Sequence, residues 1–171
     1  MTAPGLDFDW ITDGLAVGGG FDAGFIPLLV AEHGIGAVID LRAEARDDEA
    51  LLLDHGIAFL HLPTLDLCAV DLSALHAGVA FAGASHDANR RLFIHCEHGI
   101  GRSATMALCV LVDRGDEPMS ALALLKAKRA IVAPSPPQYH AWIAWLEARA
   151  VKGPDFDAFA EVAYRRPDAP T

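Results

Sequence analysis

Nine consecutive residues constrain this chain more than any other feature: His95-Cys96-Glu97-His98-Gly99-Ile100-Gly101-Arg102-Ser103. They follow Arg91-Leu92-Phe93-Ile94, an apolar run that reads as a buried strand, and they lead into an apolar helical stretch from Ser103 to Arg114. Glycines at 99 and 101 allow successive backbone N–H groups to turn inward around an anion, and the start of the following helix adds the positive end of its dipole. Such a turn is expected to hold a tetrahedral dianion. Arg102, at its far end, can give two parallel hydrogen bonds to phosphate oxygens, which a lysine cannot reproduce. Glu97, His98, Gly99, Ile100 and Gly101 are the remaining candidates for lining the anion site.

Cys96 opens the same turn, so its sulfur should face the anion's centre in a field that favours the thiolate. A thiolate facing a bound phosphate can attack phosphorus and form a phosphocysteine, which splits hydrolysis into two easier displacements without a metal or cofactor. Ser103 can donate its hydroxyl to the sulfur and help it leave in the second step. An alkoxide or phenoxide leaving group also needs a proton donor, and Asp66, on a loop just past a strand end, could supply one. Asp71 is the nearest rival, but it stands where it should cap the next helix. His95 is expected to sit behind the loop, hydrogen-bonded to it.

The rest of the chain gives this loop a setting. Strands are expected over Leu15–Gly19, Ala37–Leu41, Ala58–Leu62 (ended by Pro63) and Arg91–His95. Helices are expected from about Phe25 to His33 with Gly34 as cap, Arg46 to His55 ended by Gly56, Leu72 to Ser85, Ser103 to Arg114 and Pro118 to Ala130. Another starts at the capping box Ser135-Pro136-Pro137-Gln138 and carries Trp142, Trp145 and Leu146. After Gly153, Phe156, Phe159 and Val162 recur at helical spacing. Alternating strands and helices predict an α/β sandwich with a largely parallel central sheet flanked by helices, whose ligands gather at the carboxyl ends of the strands. The loop after His95 is at such an end. With 171 residues, a single domain is expected, its core at about 8–150 and a C-terminal extension over 151–171.

Composition excludes several alternatives. The formal net charge of −10 argues against a nucleic-acid partner. Two short basic groups, Arg90-Arg91 and Lys126, Lys128 and Arg129, read as a turn and a solvated helix face. No apolar stretch reaches the roughly 20 residues that span a bilayer. Three cysteines, Cys68, Cys96 and Cys109, form no disulfide framework, which fits a cytoplasmic setting; Cys68 and Cys109 read as ordinary buried thiols. His95, Cys96 and His98 converge poorly on one ion, so no zinc site is expected.

Residues His95 to Ser103 match the H-C-x-x-G-x-x-R-[ST] loop and so resemble the protein tyrosine phosphatase superfamily. Val38-Ile39-Asp40-Leu41-Arg42, Leu62-Pro63-Thr64-Leu65-Asp66 and the stretch from Arg129 to Gln138 are similar to the corresponding segments of small dual-specificity phosphatases, so the likeness covers about residues 8 to 148. Tyrosine-specific enzymes have Trp-Pro before the loop Asp. Here Thr64-Leu65 precede it, which points to the dual-specificity or atypical branch. The resemblance implies Cys96 as nucleophile, Arg102 as phosphate clamp and Asp66 as acid then base, acting on a phosphorylated substrate, in the first place a phosphoprotein. Gln138 matches a region that helps position water in some relatives, though its capping-box role weighs more. Arg42 is expected to pair under the loops with Glu44 or Asp40. Three readings stay open: an active phosphomonoester phosphatase on a protein or a non-protein phosphate, a phosphate-binding pseudoenzyme, and a sulfurtransferase or arsenate reductase. Arg102 and Asp66 together favour the first.

Overall fold

The computed structural model describes residues 5–166. Five strands form one mixed, mostly parallel sheet: β1 (Phe8–Thr12), β2 (Leu15–Gly18), β3 (Ile35–Arg42), β4 (Ala58–Thr64) and β5 (Arg91–His95), in the spatial order β1-β2-β5-β3-β4. β2, β5, β3 and β4 run parallel, and only β1 is antiparallel to its neighbour. The helices are α1 (Ile26–Ala31), preceded by a 3₁₀ turn at Ala23–Phe25, then α2 (Glu49–Asp54), α3 (Leu72–Asp87), α4 (Arg102–Asp113), α5 (Pro118–Lys128), α6 (Pro136–Ala148) and α7 (Phe156–Ala163). This is the expected single-domain α/β sandwich with a parallel centre.

β5 lies in the middle of the sheet, flanked by β2 and β3, and Leu92, Phe93 and Ile94 are fully buried. Burial on both faces is why this strand reads as a continuous apolar run rather than an alternation. The side chains divide between two clusters. Leu92 and Ile94 join the larger one, with α4, α6 and α7; Phe93 joins the smaller one, with Ile26, Leu29 and Leu52. α4 is buried along nearly its whole length, from Arg102 to Leu111. Rigid packing around both the strand before the loop and the helix after it fixes the loop's two ends.

Several expectations change in detail. β1 was not foreseen; its Phe8-Asp9-Trp10-Ile11-Thr12 pairs with β2 and covers that edge. Pro63 does not end β4, because β4 is an edge strand with one free side, where a missing N–H costs no ladder bond. The second helix is shorter than expected, since Asp48 caps it by accepting a hydrogen bond from the Leu51 amide. Asp71 does occupy the N-cap position of α3, yet its carboxylate makes no capping bond; only its carbonyl accepts from Leu75. The capping box of α6 is complete, with both Ser135 and Gln138 side chains bonded to the partner's backbone. Trp142 and Trp145 are core residues, and α7 seals the same core through Phe159 and Ala163.

Candidate active site

The chain leaves β5 at His95 and re-enters helix at Arg102, and between them residues 96–101 form a tight loop at the carboxyl end of the sheet. Gly99 has φ +63, and a Cβ there would come within 2.6 Å of the Gly18 carbonyl group and 2.5 Å of Arg129 Nη2. Gly101 leaves no room either: a Cβ would lie 2.3 Å from Gln138 Oε1. Gly99 is therefore demanded by both backbone contact and conformation, whereas a side chain at 101 would displace the Gln138 amide from its capping bond.

Cys96 is buried, and its Sγ lies 3.4 Å from Ser103 Oγ. It shares a small cavity of about 80 Å³ with Asp66, Leu67, His98, Ile100, Gly101 and Ala133. Of the sequence candidates, Cys96, Asp66, His98, Ile100 and Gly101 thus meet at one cavity. Glu97 turns the other way, towards Arg42, with 3.4 Å between Oε2 and Nη1. Its side chain lines a neighbouring groove with Asp7, Gly20, Phe21 and Asp22 rather than this cavity, which leaves its backbone amide as its part in the loop.

Arg102 is almost fully buried, and its donors can be counted. Nη1 and Nη2 each give a 2.7 Å hydrogen bond to one oxygen of Glu44, and Nη1 gives a second, of 2.8 Å, to the Thr64 carbonyl. Asp66 Oδ1 stands 3.4 Å from Nη2. Nε has no hydrogen-bond partner among the described residues. A guanidinium has five donors. The Nε and Nη2 side of the fork is therefore the side left for a bidentate acceptor, and it faces the same acid loop as the cavity. Burial alone would lower the Arg102 pKa, but the Glu44 pair outweighs it and the pKa is raised. Glu44 responds in the opposite sense: its hydrogen bonds with Arg102 take its carboxyl down to about 2.

Behind the loop is a second network. His95 is fully buried; Nε2 is 2.7 Å from Asp47 Oδ2, and Nδ1 is 3.2 Å from the Cys96 carbonyl oxygen. Arg42 bonds both oxygens of Asp40 at 3.0 Å and Asp47 at 2.8 Å. The expected Asp40 partner is present, and Glu44 belongs to Arg102 instead. Burial pushes the Asp40 carboxyl up, but the Arg42 hydrogen bonds and the nearby imidazole outweigh it and hold it below its ordinary value. Ligand atoms of Asp40, Asp47 and His95 fall within 4.8 Å of one another, and the Arg42 guanidinium already supplies the positive charge there.

Sequence reasoning missed Arg129, which it read as solvated. The residue is 2% exposed and uses its guanidinium on every side. Nε donates to the Gly99 carbonyl at 2.8 Å and Nη2 to that of His98 at 3.0 Å, while Asp7 and Asp9 of the N-terminal segment accept from Nη1 and Nη2. Carbonyls drawn outward leave the adjoining amides free to face the cavity. Arg129→Met is expected to weaken competitive inhibition by inorganic phosphate by about tenfold, one charge-assisted bond's worth. Unchanged inhibition would show that the loop keeps its shape without this residue. Cys68 is exposed rather than buried, whereas burial pushes the Cys109 thiol well up.

Solved structures share this architecture. PTPMT1 in complex with PI(5)P superposes with TM-score 0.77 at 22% identity, over 85% of this chain and 99% of that one. Human DUSP28 gives 0.75 at 22%, over 87% and 98%. Tk-PTP in its active form gives 0.75 at 21%, over 82% and 97%. At this level of identity the likeness speaks for the fold. A search of curated proteins finds no match. Residues 27–116 match the family Tc-R-P, described as "Polymorphic toxin system, DSP-PTPase phosphatase", a stretch that includes Asp66 and the whole loop from His95 to Ser103. As that match spans just over half of the chain, the protein belongs to this dual-specificity and tyrosine-phosphatase-type family of the protein tyrosine phosphatase superfamily and is a cysteine-based phosphatase.

Proposed function

We propose that the chain hydrolyses phosphomonoesters through a phosphocysteine on Cys96, with Arg102 holding the phosphoryl group and Asp66 moving the proton. The observation that carries this reading is the donor count at Arg102: Glu44 and Thr64 anchor one edge of the guanidinium, and the buried Nε beside Nη2 is left for two phosphate oxygens. In the first step the Cys96 sulfur bonds phosphorus as the ester P–O bond breaks, and Asp66 gives its proton to the departing oxygen. In the second, water attacks phosphorus, Asp66 takes a proton from it, and sulfur leaves as thiolate, stabilised by the Ser103 hydroxyl 3.4 Å away. Loop amides at 97–101 and Arg102 hold the equatorial oxygens throughout. His95 holds the loop through the Cys96 carbonyl. A phosphate on Arg102 would take Nη2 from Asp66, which then stands beside the ester oxygen.

Asp66→Asn tests this assignment. Turnover is expected to fall roughly 10²–10⁴-fold and the pH–rate profile to lose its basic limb, because that limb records loss of the donated proton. The fall should shrink for leaving groups that need no proton. A neutral Asp66→Asn together with a damaging Asp71→Asn would move the role to Asp71, whose carboxylate is free of the helix cap.

The substrate we favour is a phosphoprotein, met as a phosphotyrosine-type ester in a reducing cytoplasm. Asp7, Glu44, Asp66 and Glu97 all stand around the loop with 43–59% of their side chains exposed, and the chain carries −10 overall, so long-range attraction of a polyanion is poor. A second reading comes from PTPMT1, whose structure holds PI(5)P. Comparing kcat/KM for a phosphotyrosyl peptide, PI(5)P and an inositol polyphosphate separates the two, and a clear preference for either inositol phosphate would install the second. In the described residues no helix is long and apolar enough to cross a membrane. The whole described chain is read as one phosphatase domain.

A further inference from the structure

Four consecutive residues between α5 and α6, Val132 to Ser135, are each hydrogen-bonded to a distant part of the molecule. The Ala133 amide donates 2.9 Å to the Ile100 carbonyl of the phosphate loop, and the Ser135 hydroxyl donates 2.7 Å to the Leu67 carbonyl, one residue past Asp66. The Val132 and Pro134 carbonyls are held instead from the C-terminal end of α7. Lys126 Nζ donates 2.7 Å to the Val132 carbonyl and 2.7 Å to that of Ala163, so one ammonium bridges the two segments. The Tyr164 hydroxyl donates 2.7 Å to the Pro134 carbonyl. The sequence pattern places Lys126 on a solvated helix face; in the fold it is half-buried, and burial first, then Arg165, lowers its pKa.

The two ends of this link differ in rigidity. α7 is firmly seated: Phe159 and Ala163 are fully buried, and the Tyr139 hydroxyl donates 2.8 Å to the Pro154 carbonyl ahead of the helix. The acid loop is not packed in this way, since Leu65 and Leu67 are each 67% exposed. Leu67 also has φ +60, a backbone that leucine rarely adopts and that persists only where its surroundings hold it. Apart from Ser135, the loop is tied by the Thr64 carbonyl to Arg102 and by a turn from the Cys68 amide to the Leu65 carbonyl. The phosphate loop has a further support in Arg129, on its His98 and Gly99 carbonyls.

We propose that Lys126 and Tyr164 are positioning residues for proton transfer: through residues 132–135 they let α7 set where the loop carrying Asp66 stands beside Cys96. The inference rests on the reading of Asp66 as the proton donor. A donor displaced by a fraction of an ångström slows the step that needs its proton, while phosphoryl binding, supported separately by Arg129, stays in place.

Tyr164→Phe removes the hydroxyl and keeps the ring, which packs edge-on against Phe159 with centroids 5.9 Å apart. For phenyl phosphate, whose leaving group needs a proton, kcat/KM is expected to fall about five- to tenfold, the worth of one neutral hydrogen bond. For 2,4-dinitrophenyl phosphate, whose leaving group needs none, the loss should be less than about twofold. Inorganic phosphate should inhibit as it does the parent, and the melting temperature should be unchanged. Lys126→Met, which keeps the stem without the ammonium, should show the same dependence on the leaving group. So should Ser135→Ala, at the far end of the link, and adding Tyr164→Phe to it should change nothing further, because the link is already cut. Equal losses for the two esters, or effects of Ser135→Ala and Tyr164→Phe that multiply, would overturn the inference, as would a neutral Tyr164→Phe beside a damaging Asp66→Asn. An Asp66→Asn that is itself neutral toward phenyl phosphate would overturn the proton-donor reading, and this inference with it.

Discussion

Cys96→Ser should lose at least about 10⁴-fold in turnover while keeping its fold and its affinity for phosphate within a few-fold. The two halves of this expectation come from different atoms. Turnover depends on sulfur, a nucleophile that an oxygen in the same place cannot match near neutral pH, because the hydroxyl holds its proton. Affinity depends on the loop amides, whose direction is set by Arg129 pulling on the His98 and Gly99 carbonyls, and on the free side of the Arg102 fork. Neither set is removed with the sulfur. Serine is also the smaller atom at a position that is 2% exposed, so the substitution adds no crowding, and its 3.4 Å neighbour Ser103 can bond either group. Single-turnover hydrolysis of p-nitrophenyl phosphate beside calorimetric phosphate titration measures both halves. Turnover retained above a trace would remove Cys96 as nucleophile. Lost phosphate affinity with an intact melting curve would mean that the thiolate, not the loop, organises the anion site.

The parts of this site legible in sequence are those whose partners lie close along the chain. The loop from His95 to Ser103 encodes the proposed nucleophile, the glycines, the proposed clamp and the helix start in nine residues, so spacing alone carries the geometry. The capping box of α6 is legible for the same reason, being complete within Ser135 to Gln138. Arg129 illustrates the opposite case. Its acidic partners Asp7 and Asp9 are 122 and 120 positions away, and nothing near Lys126 and Lys128 distinguishes a buried guanidinium from a solvated one. β1 was hidden for a related reason: Phe8-Asp9-Trp10-Ile11-Thr12 is short and has no clean alternation, and its pairing is decided by the β2 edge it covers. The exchange of partners between Arg42 and Arg102 lies between these cases. Asp40 and Arg42 are two apart on one strand and so share a face, as their hydrogen bonds show, whereas Glu44, past the strand end, reaches across to Arg102 from 58 positions away.

Arg102→Lys should cost at least about 10³-fold in kcat/KM, although charge is conserved. The reason is again the donor count. In the wild type one guanidinium does two jobs: Glu44 and Thr64 hold it from one side, and the remaining Nε and Nη2 donors stay available on the other. An ammonium has three donors on a single nitrogen, at the end of a flexible stem, so once Glu44 and the Thr64 carbonyl are satisfied only one is left and the parallel pair is gone. In the wild type the Glu44 carboxyl, held down to about 2 by its hydrogen bonds with Arg102, is ionised well below the range in which the enzyme would be assayed, so lowering the pH from 7 to 5 does not release the clamp. The acid limb of the wild-type profile therefore belongs to other groups, and it should be unchanged by Glu44→Gln. The fold should tolerate Arg102→Lys, because the buried positive charge keeps its acidic partner. The measurement is kcat/KM for a phosphotyrosyl peptide beside the phosphate inhibition constant, and both should worsen. Near-normal kinetics would place the phosphoryl clamp elsewhere in the molecule and leave Arg102 as a strut between Glu44 and the acid loop.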